Sequence, residues 1–412
     1  MNPWPVIAAS LTRYRYSVLA FVFLIVAGTA LSVAIISQER ALRTGSAQAA
    51  EKFDVVVAPV GSRIDALLTS VYLQPGSSRL LSPEVTAKLL NDPMADFVSP
   101  LAFGDSYQGA PLIGVSAALV NHLSDGVLAE GRVFTGRQEA VVGSAVAVPL
   151  GGEFTPSHGV HQGADDDHVD GHDATITVVG RMPPTGSPWD RAIAVPVELV
   201  WDVHGLHDEH DEDEEDAHED HLDTIGGPYS ADATPGVPAA VMKAGTVADA
   251  YRLRQAYNTD ESMAFFPAEV LIQLYKTLGD MREIMTLMAF VTQGLVMLAI
   301  IASVLILFRL LMPQFVTLRA IGAPRLYIFA IAWGFVVVLF TAGVILGVGA
   351  GYALSFGISA WLEGQFGLLL RPSIGKSEIL LGLGVWAMGL VLAMLPGWQL
   401  QRKPLAQAMQ AY

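Results

Sequence analysis

Four stretches of the chain, 17–36, 284–308, 328–362 and 379–395, are almost without charge. Each approaches or exceeds the roughly 20 residues that a helix needs to cross a bilayer. In hydrocarbon every backbone polar group must be satisfied internally, so these stretches are predicted to be transmembrane helices. The third exceeds the membrane's thickness, which predicts tilt or extension into water. Between the first and second stretches the pattern changes to short apolar runs bounded by Gly, Pro and Asp. Strands are predicted at 53–59, 112–116, 140–142, 174–179 and 192–195, and helices at 63–72, 83–91 and 247–256. That pattern describes a mixed α/β domain over 45–283, entered through a linker at 39–52. An amphipathic helix at 267–282 is predicted to run straight into the second span. Residues 1–16 read as an interfacial helix, with Trp4, Ile7 and Leu11 towards lipid.

Basic residues set the orientation. Arg13 and Arg15 precede the first span, Arg309, Arg319 and Arg325 lie between the second and third, and Arg402 and Lys403 follow the fourth. All share one face if both termini, the 309–327 connection and the 396–412 tail are cytoplasmic. The α/β domain is then extracytoplasmic. Arg40 and Arg43 fall on the wrong side of this scheme. An Ala-Gln-Ala at 47–49 looks like a cleavage site but lies well beyond the apolar run, so an uncleaved anchor is expected. The chain has no cysteine, and the outer domain must be held by burial or by a partner.

The net charge of −16 is local in origin. Residues 150–223 hold 20 Asp and Glu against Arg181 and Arg191, which leaves the rest of the chain near +2. Gln293 is the one strongly polar side chain in the second span, and no span holds the midplane carboxylates of ion-coupled carriers. Gly343, Gly347 and Gly351 form a small-xxx-small stripe for close helix packing, within the chain or across a dimer. No G-x-x-x-x-G-K-[ST] loop is present and no Ser/His/Asp grouping has a credible context, so no enzymatic activity of its own is expected.

Nine of the ten histidines fall in two low-complexity acidic segments, 156–173 and 204–223. His204, His207 and His210 are spaced by three, as are His218 and His221, among eleven carboxylates; His158, His161, His168 and His172 extend the set. Imidazole and carboxylate together suit borderline divalent cations, zinc above all. Loops of this composition favour exchanging, multi-site capture over a closed tetrahedral site.

Residues 313–326, PQFVTLRAIGAPRL, form a helical run carrying Arg319, a break at Gly322-Ala323-Pro324 and a restart at Arg325. With one anchor span, a large outer domain and three closely spaced final spans, this segment resembles that of the MacB/FtsX/LolC-type (type VII) ABC transporter permeases. FDVVVAPVGSRIDALLTSVY is similar to the start of a MacB-like periplasmic core domain, and PGWQLQRKPLAQAM to the family's ending. The resemblance implies that Thr317, Leu318, Arg319, Ala320, Gly322, Ala323 and Arg325 couple to a cytoplasmic ABC ATPase dimer, the subunit that binds ATP. It further implies a bacterial inner-membrane location, a second permease copy or paralogue, and no covalent cofactor. Permeases with His-rich outer loops are similar to members of zinc-linked systems, which implies transport or handling of a zinc-linked substrate and a periplasmic metal-binding or adaptor protein. Activation of a periplasmic enzyme, as in FtsX-like proteins, and lipoprotein release, as in LolC-like ones, are the alternatives. No nucleic-acid partner is expected.

Overall fold

The computed structural model describes residues 2–74, 76, 79–158, 175–204, 225–227, 229–277, 291, 294, 297–298, 301–302, 305–306, 309, 311–366 and 370–402. Most of the expected second span at 284–308, most of both histidine-rich segments, and residues 403–412 lie outside this set. Along the chain the elements are α1 (Trp4–Arg13), α2 (Arg15–Glu51), β1 (Val55–Pro59), α3 (Arg63–Ser70), α4 (Pro83–Leu90), β2 (Ala95–Tyr107), β3 (Ala110–Val115), α5 (Ala117–Leu123), β4 (Glu130–Gly131), β5 (Glu139–Val142), β6 (Glu153–Phe154) and β7 (Ser157–His158). There follow β8 (Ile176–Arg181), β9 (Ile193–Pro196), α6 (Val197–Val203), β10 (Ala239–Ala244), α7 (Val247–Ala256), β11 (Ser262–Phe265) and α8 (Pro267–Thr277). The last helices are α9 (311–320), α10 (Arg325–Phe366) and α11 (Lys376–Arg402). Two compact units result, one of helices and one around the sheet.

The sheet unit is mixed α/β. Its strand order is β11-β1-β10-β2-β3-β9-β5-β8-β4, with β6 added on β8 and β7 on β2. Pairings are antiparallel except β3 with β9 and β5 with β8. Both faces are covered, and β1 shows why its sequence is an unbroken apolar run. Val56 and Ala58 face a core with α3, α5 and α8, while Val55 and Val57 face a second core with α4, α6 and α7. A strand buried on both faces needs apolar residues at every position. Four of the flanking helices start at Ser62, Ser82, Ser116 and Thr246, whose side chains accept the backbone N–H three residues on. Each such cap satisfies a donor the first turn would otherwise leave bare.

The expected linker at 39–52 is overturned, because α2 continues as helix to Glu51. Its composition past Ile36 is rich in Ala, Arg, Gln and Glu, good helix formers. Gly45 and Ser46 fail to break it because the final turns are held by packing. Ala49 and Ala50 are buried in the sheet unit's core, and Tyr72 donates its hydroxyl to the Ser46 carbonyl at 2.8 Å. The Ser46 hydroxyl bonds the Tyr275 hydroxyl on α8.

In the helical unit, α2 and Arg325–Gly364 of α10 are long and apolar enough to cross a membrane. The expected fourth span lies inside α11. Within α1, Ile7 is buried and Leu11 packs beside it on the unit's core; Trp4 is exposed. The expectation that all three face lipid is overturned for Ile7 and Leu11, which pack on protein, while Trp4 is exposed. One side of α1 is already covered by protein, with Ile7 so placed that a Cβ on Gly334 would stand 2.9 Å from its Cδ1.

Candidate functional site

The geometry of the connection between α9 and α10 follows from one glycine. Gly322 adopts φ +97°, a left-handed conformation that costs a side-chain-bearing residue far more than glycine. In that conformation its N–H donates to the Arg319 carbonyl at 3.1 Å, and the Ala323 N–H to the Leu318 carbonyl at 3.0 Å. The pair is a Schellman cap, completed by the apolar residues on either side of it. Leu318 and Ala323 both pack against the core that holds Leu311 and Phe315. Pro324 then accepts the first hydrogen bond of α10, from Ile328 at 3.3 Å.

The cap divides the seven sequence-derived coupling residues into two groups. Leu318 and Ala323 root the turn in the unit's core, and Gly322 shapes it. Thr317, Ala320 and Arg325 are exposed, and Arg319 is half-buried. Two residues that sequence reading passed over are the most prominent at the tip: Ile321 is 80% and Leu326 74% exposed. Neither Arg319 nor Arg325 has an ion-pair partner among the described residues. The knob thus offers two large apolar side chains beside one exposed guanidinium, on a backbone that the cap makes stiff.

The glycine stripe is occupied within the chain. A Cβ on Gly343 would stand 2.7 Å from Ile25 Cγ2, on Gly347 2.7 Å from Thr29 Cβ, and on Gly351 2.6 Å from the Ala30 carbonyl oxygen. Both series ascend together, and Gly351 also meets Val33 Cβ at 2.8 Å, so α2 and α10 run parallel at backbone contact. Farther along the same seam, Ser355 and Ser359 donate to Gln38 Oε1 at 3.3 and 3.2 Å. On α10's other side α11 runs antiparallel, with Trp386 Nε1 donating to Thr341 Oγ1 at 3.0 Å and Trp333 Nε1 to the Leu390 carbonyl at 3.4 Å.

Arg40, out of place in the charge pattern, is neutralised. Its Nη2 donates to Glu378 Oε2 at 2.9 Å and its Nη1 to the Ser373 carbonyl at 3.1 Å. The Glu378 side chain is wholly buried and also accepts from the Gly375 N–H at 2.8 Å. An arginine carrying its own counter-ion adds little to a basic surface.

Of the histidines proposed as ligands, His204 is described and His158 in its backbone only; His161, His168, His172, His207, His210, His218 and His221 lie outside the described residues. His204 ends α6, and its Nδ1 lies 2.8 Å from the Val200 carbonyl. His158 is in β7, opposite Asp105 of β2. Among the described residues no three His, Cys, Asp or Glu side chains converge as a metal centre. The tenth histidine, His122, is structural, with Nε2 2.8 Å from the Lys52 carbonyl. No protein-family model and no curated protein matches the chain.

Proposed function

We propose that the chain is the permease subunit of a MacB/FtsX-like ABC system in a bacterial inner membrane, working with a separate cytoplasmic ATPase dimer and a second permease copy or paralogue. The observation that carries this reading is the capped α9–α10 turn. Nucleotide-driven closure of an ATPase can push usefully only on a part that does not deform. The Schellman cap supplies stiffness, and Phe315, Leu318 and Ala323 tie the turn to the helical core. Ile321 and Leu326 offer the apolar anchors, and Arg325 the charge, that a docking groove would take up. From there α10 packs backbone to backbone against α2, whose last turn is built into the core of the sheet unit. Force then reaches the outer domain without cargo passing between helices that have little polar lining. On this reading four spans cross the membrane, the sheet unit is extracytoplasmic, and the cargo is zinc or a protein that carries it, gathered by the histidine-rich segments.

The test is reconstitution with the cognate ATPase. Arg325→Glu and Ile321→Ser should each abolish permease-stimulated ATP hydrolysis while the chain still inserts and folds. Undiminished stimulation in both variants would overturn the assignment of this turn.

A further inference from the structure

Around α1 and the α9–α10 turn the chain has cations but no anions. Residues 1–38, 284–362 and 379–412 hold seven arginines and lysines and no aspartate or glutamate. Two of the seven, Arg13 and Arg15, flank the junction of α1 and α2, and both are exposed.

Helix α1 is built against both helices that the turn joins. On α9, the Gln314 amide lies between Ser10 Oγ and Tyr14 Oη, 3.5 and 3.4 Å away. On α10, Tyr327 donates its hydroxyl to the Asn2 carbonyl at 3.2 Å, and Ile7 sits over Gly334. Ile7 shares its core with Leu311 and Phe315 of α9 and with Ile328 and Ile331 of α10. The chain then bends. Tyr14 leaves helical geometry at φ −105°, ψ 32°. Ile7 and Phe21 are fourteen residues apart, yet they meet Gly334 and Phe340, six apart on α10. α1 and α2 are thus not one straight rod along α10, and Arg13 and Arg15 lie at the bend.

That bend stands at the depth of lipid headgroups when the second apolar stretch spans a bilayer. Arg309, which is helical, closes that stretch. Gln314 follows five residues later, about 7.5 Å along a helix. The polar layer beyond the hydrocarbon is about 5–7 Å deep on each side. Ser10 and Tyr14, level with Gln314, bring Arg13 and Arg15 to that layer. Trp4 and Tyr16, both exposed, are side chains that favour such an interface, and the Arg15 guanidinium lies 4.9 Å from the Tyr16 ring centroid. A guanidinium is matched to phosphate, which it binds through two parallel N–H donors.

We infer that Arg13 and Arg15 bind the headgroup phosphates of anionic phospholipids, and that α1, anchored in this way, is a brace that fixes the α9–α10 turn. The occupant is a lipid because the arginines lie at headgroup depth and no carboxylate nearby in sequence competes for them. The composition of the membrane then sets how firmly the turn is held. This inference rests on the membrane reading of the helical unit proposed above and not on the ATPase.

Nanodiscs of phosphatidylcholine, with and without phosphatidylglycerol, holding the full chain test it. The chain has no cysteine, so one spin label at Ile321→Cys reads the turn, and spin-labelled lipids read headgroup selection. The protein should select phosphatidylglycerol over phosphatidylcholine, and the label should be less mobile where phosphatidylglycerol is present. Arg13→Gln and Arg15→Gln should each cut the selectivity about 5-fold, the worth of one arginine at an anionic surface, and together remove the label's response. Gln314→Ala leaves both arginines but loosens α1 from α9, so it should keep the selectivity and shrink the response; a full response would overturn the brace. Glycerol phosphate in solution should not immobilise the label in phosphatidylcholine discs. If it did, the site would be one for a free phosphate and the lipid assignment would fall. No selection of phosphatidylglycerol by the wild type, or selection undiminished without both arginines, would overturn the inference while the membrane reading stands. A chain that does not enter the discs would overturn that reading too.

Discussion

The Ala323 N–H and the Leu318 carbonyl, 3.0 Å apart, close α9 with a six-residue ring that requires Gly322 at positive φ. A β-branched residue in that conformation is strained by on the order of 1–3 kcal/mol. Gly322→Val should therefore open the turn without unfolding the helices. Because the chain has no cysteine, a single spin label at Ile321→Cys reports on it cleanly. Label mobility should rise in the Gly322→Val background at unchanged helix content. An unaltered spectrum would show that the cap does not set the turn's stiffness.

The glycine seam predicts opposite signs for two neighbouring positions. Gly351→Ala places a Cβ 2.6 Å from the Ala30 carbonyl and should destabilise the helical unit by about 1–3 kcal/mol. At Gly349 nothing lies within 4 Å of an added Cβ, so Gly349→Ala should gain up to about 1 kcal/mol of helix propensity. Thermal unfolding in detergent measures both. Equal effects would mean that α2 and α10 are not in backbone contact.

Much of this was legible in sequence, where local pattern and tertiary environment agree. The α7 range 247–256 and the α3 and β1 runs are found where their periodicity puts them. β2, the longest strand among the described residues, was not legible, because Pro100, Gly104 and Asp105 interrupt its pattern; Gly104 and Asp105 fall where its register with β3 shifts. The end of α2 was missed because its stability comes from Tyr72 and Tyr275, distant in sequence. The Gly322 break and the glycine stripe were readable, since only glycine serves such backbones. Ile321 and Leu326 were passed over because an exposed apolar residue looks like any other in an apolar stretch. Asp105 carried no signal beyond its type; only the fold sets it beside His204.

Arg40 and Glu378 form a buried pair whose partners are unequal, 29% and 0% exposed at the side chain. Removing one member of a buried pair costs about 3–5 kcal/mol, less where one side reaches solvent. Arg40→Met should be the more damaging single change, because it strands a carboxylate with no solvent access. The double variant Arg40→Met, Glu378→Met should melt nearer the wild type than Arg40→Met does. Additive losses in the double-mutant cycle would show that the two side chains do not interact.

The sheet unit carries an acid-sensitive link. Arg132 holds the Glu139 carboxyl down to about 2 from an ordinary 4.5, chiefly through its side-chain hydrogen bonds; burial opposes the shift, and the Thr135 and Gly136 N–H groups assist it. A carboxyl depressed in the folded state favours folding above its unfolded value. That contribution should be complete above about pH 4.5 and fade as pH falls towards about 2. Chemical unfolding between these limits should be steeper in pH for the wild type than for Glu139→Gln. Identical pH profiles would place the acid sensitivity elsewhere.

The last turns of α2 decide whether the chain joins the sheet unit through a helix or a tether. Ser46 is held on both sides, its carbonyl by the Tyr72 hydroxyl and its own hydroxyl by Tyr275. Burial, with Tyr275 beside it, pushes the Tyr72 phenol well above its ordinary range, so this donor stays protonated at neutral pH. A neutral hydrogen bond of this kind contributes about 0.5–1.5 kcal/mol, and more is lost if its buried acceptor is left unpaired. Amide hydrogen exchange should find residues 44–51 protected along with the sheet core, where a linker would exchange at once. Tyr72→Phe should raise exchange across 44–51 while leaving β1 and β10 slow. Fast exchange over 44–51 in the wild type would break the mechanical path from α10 through α2 to the sheet, and with it the transmission route proposed for this chain.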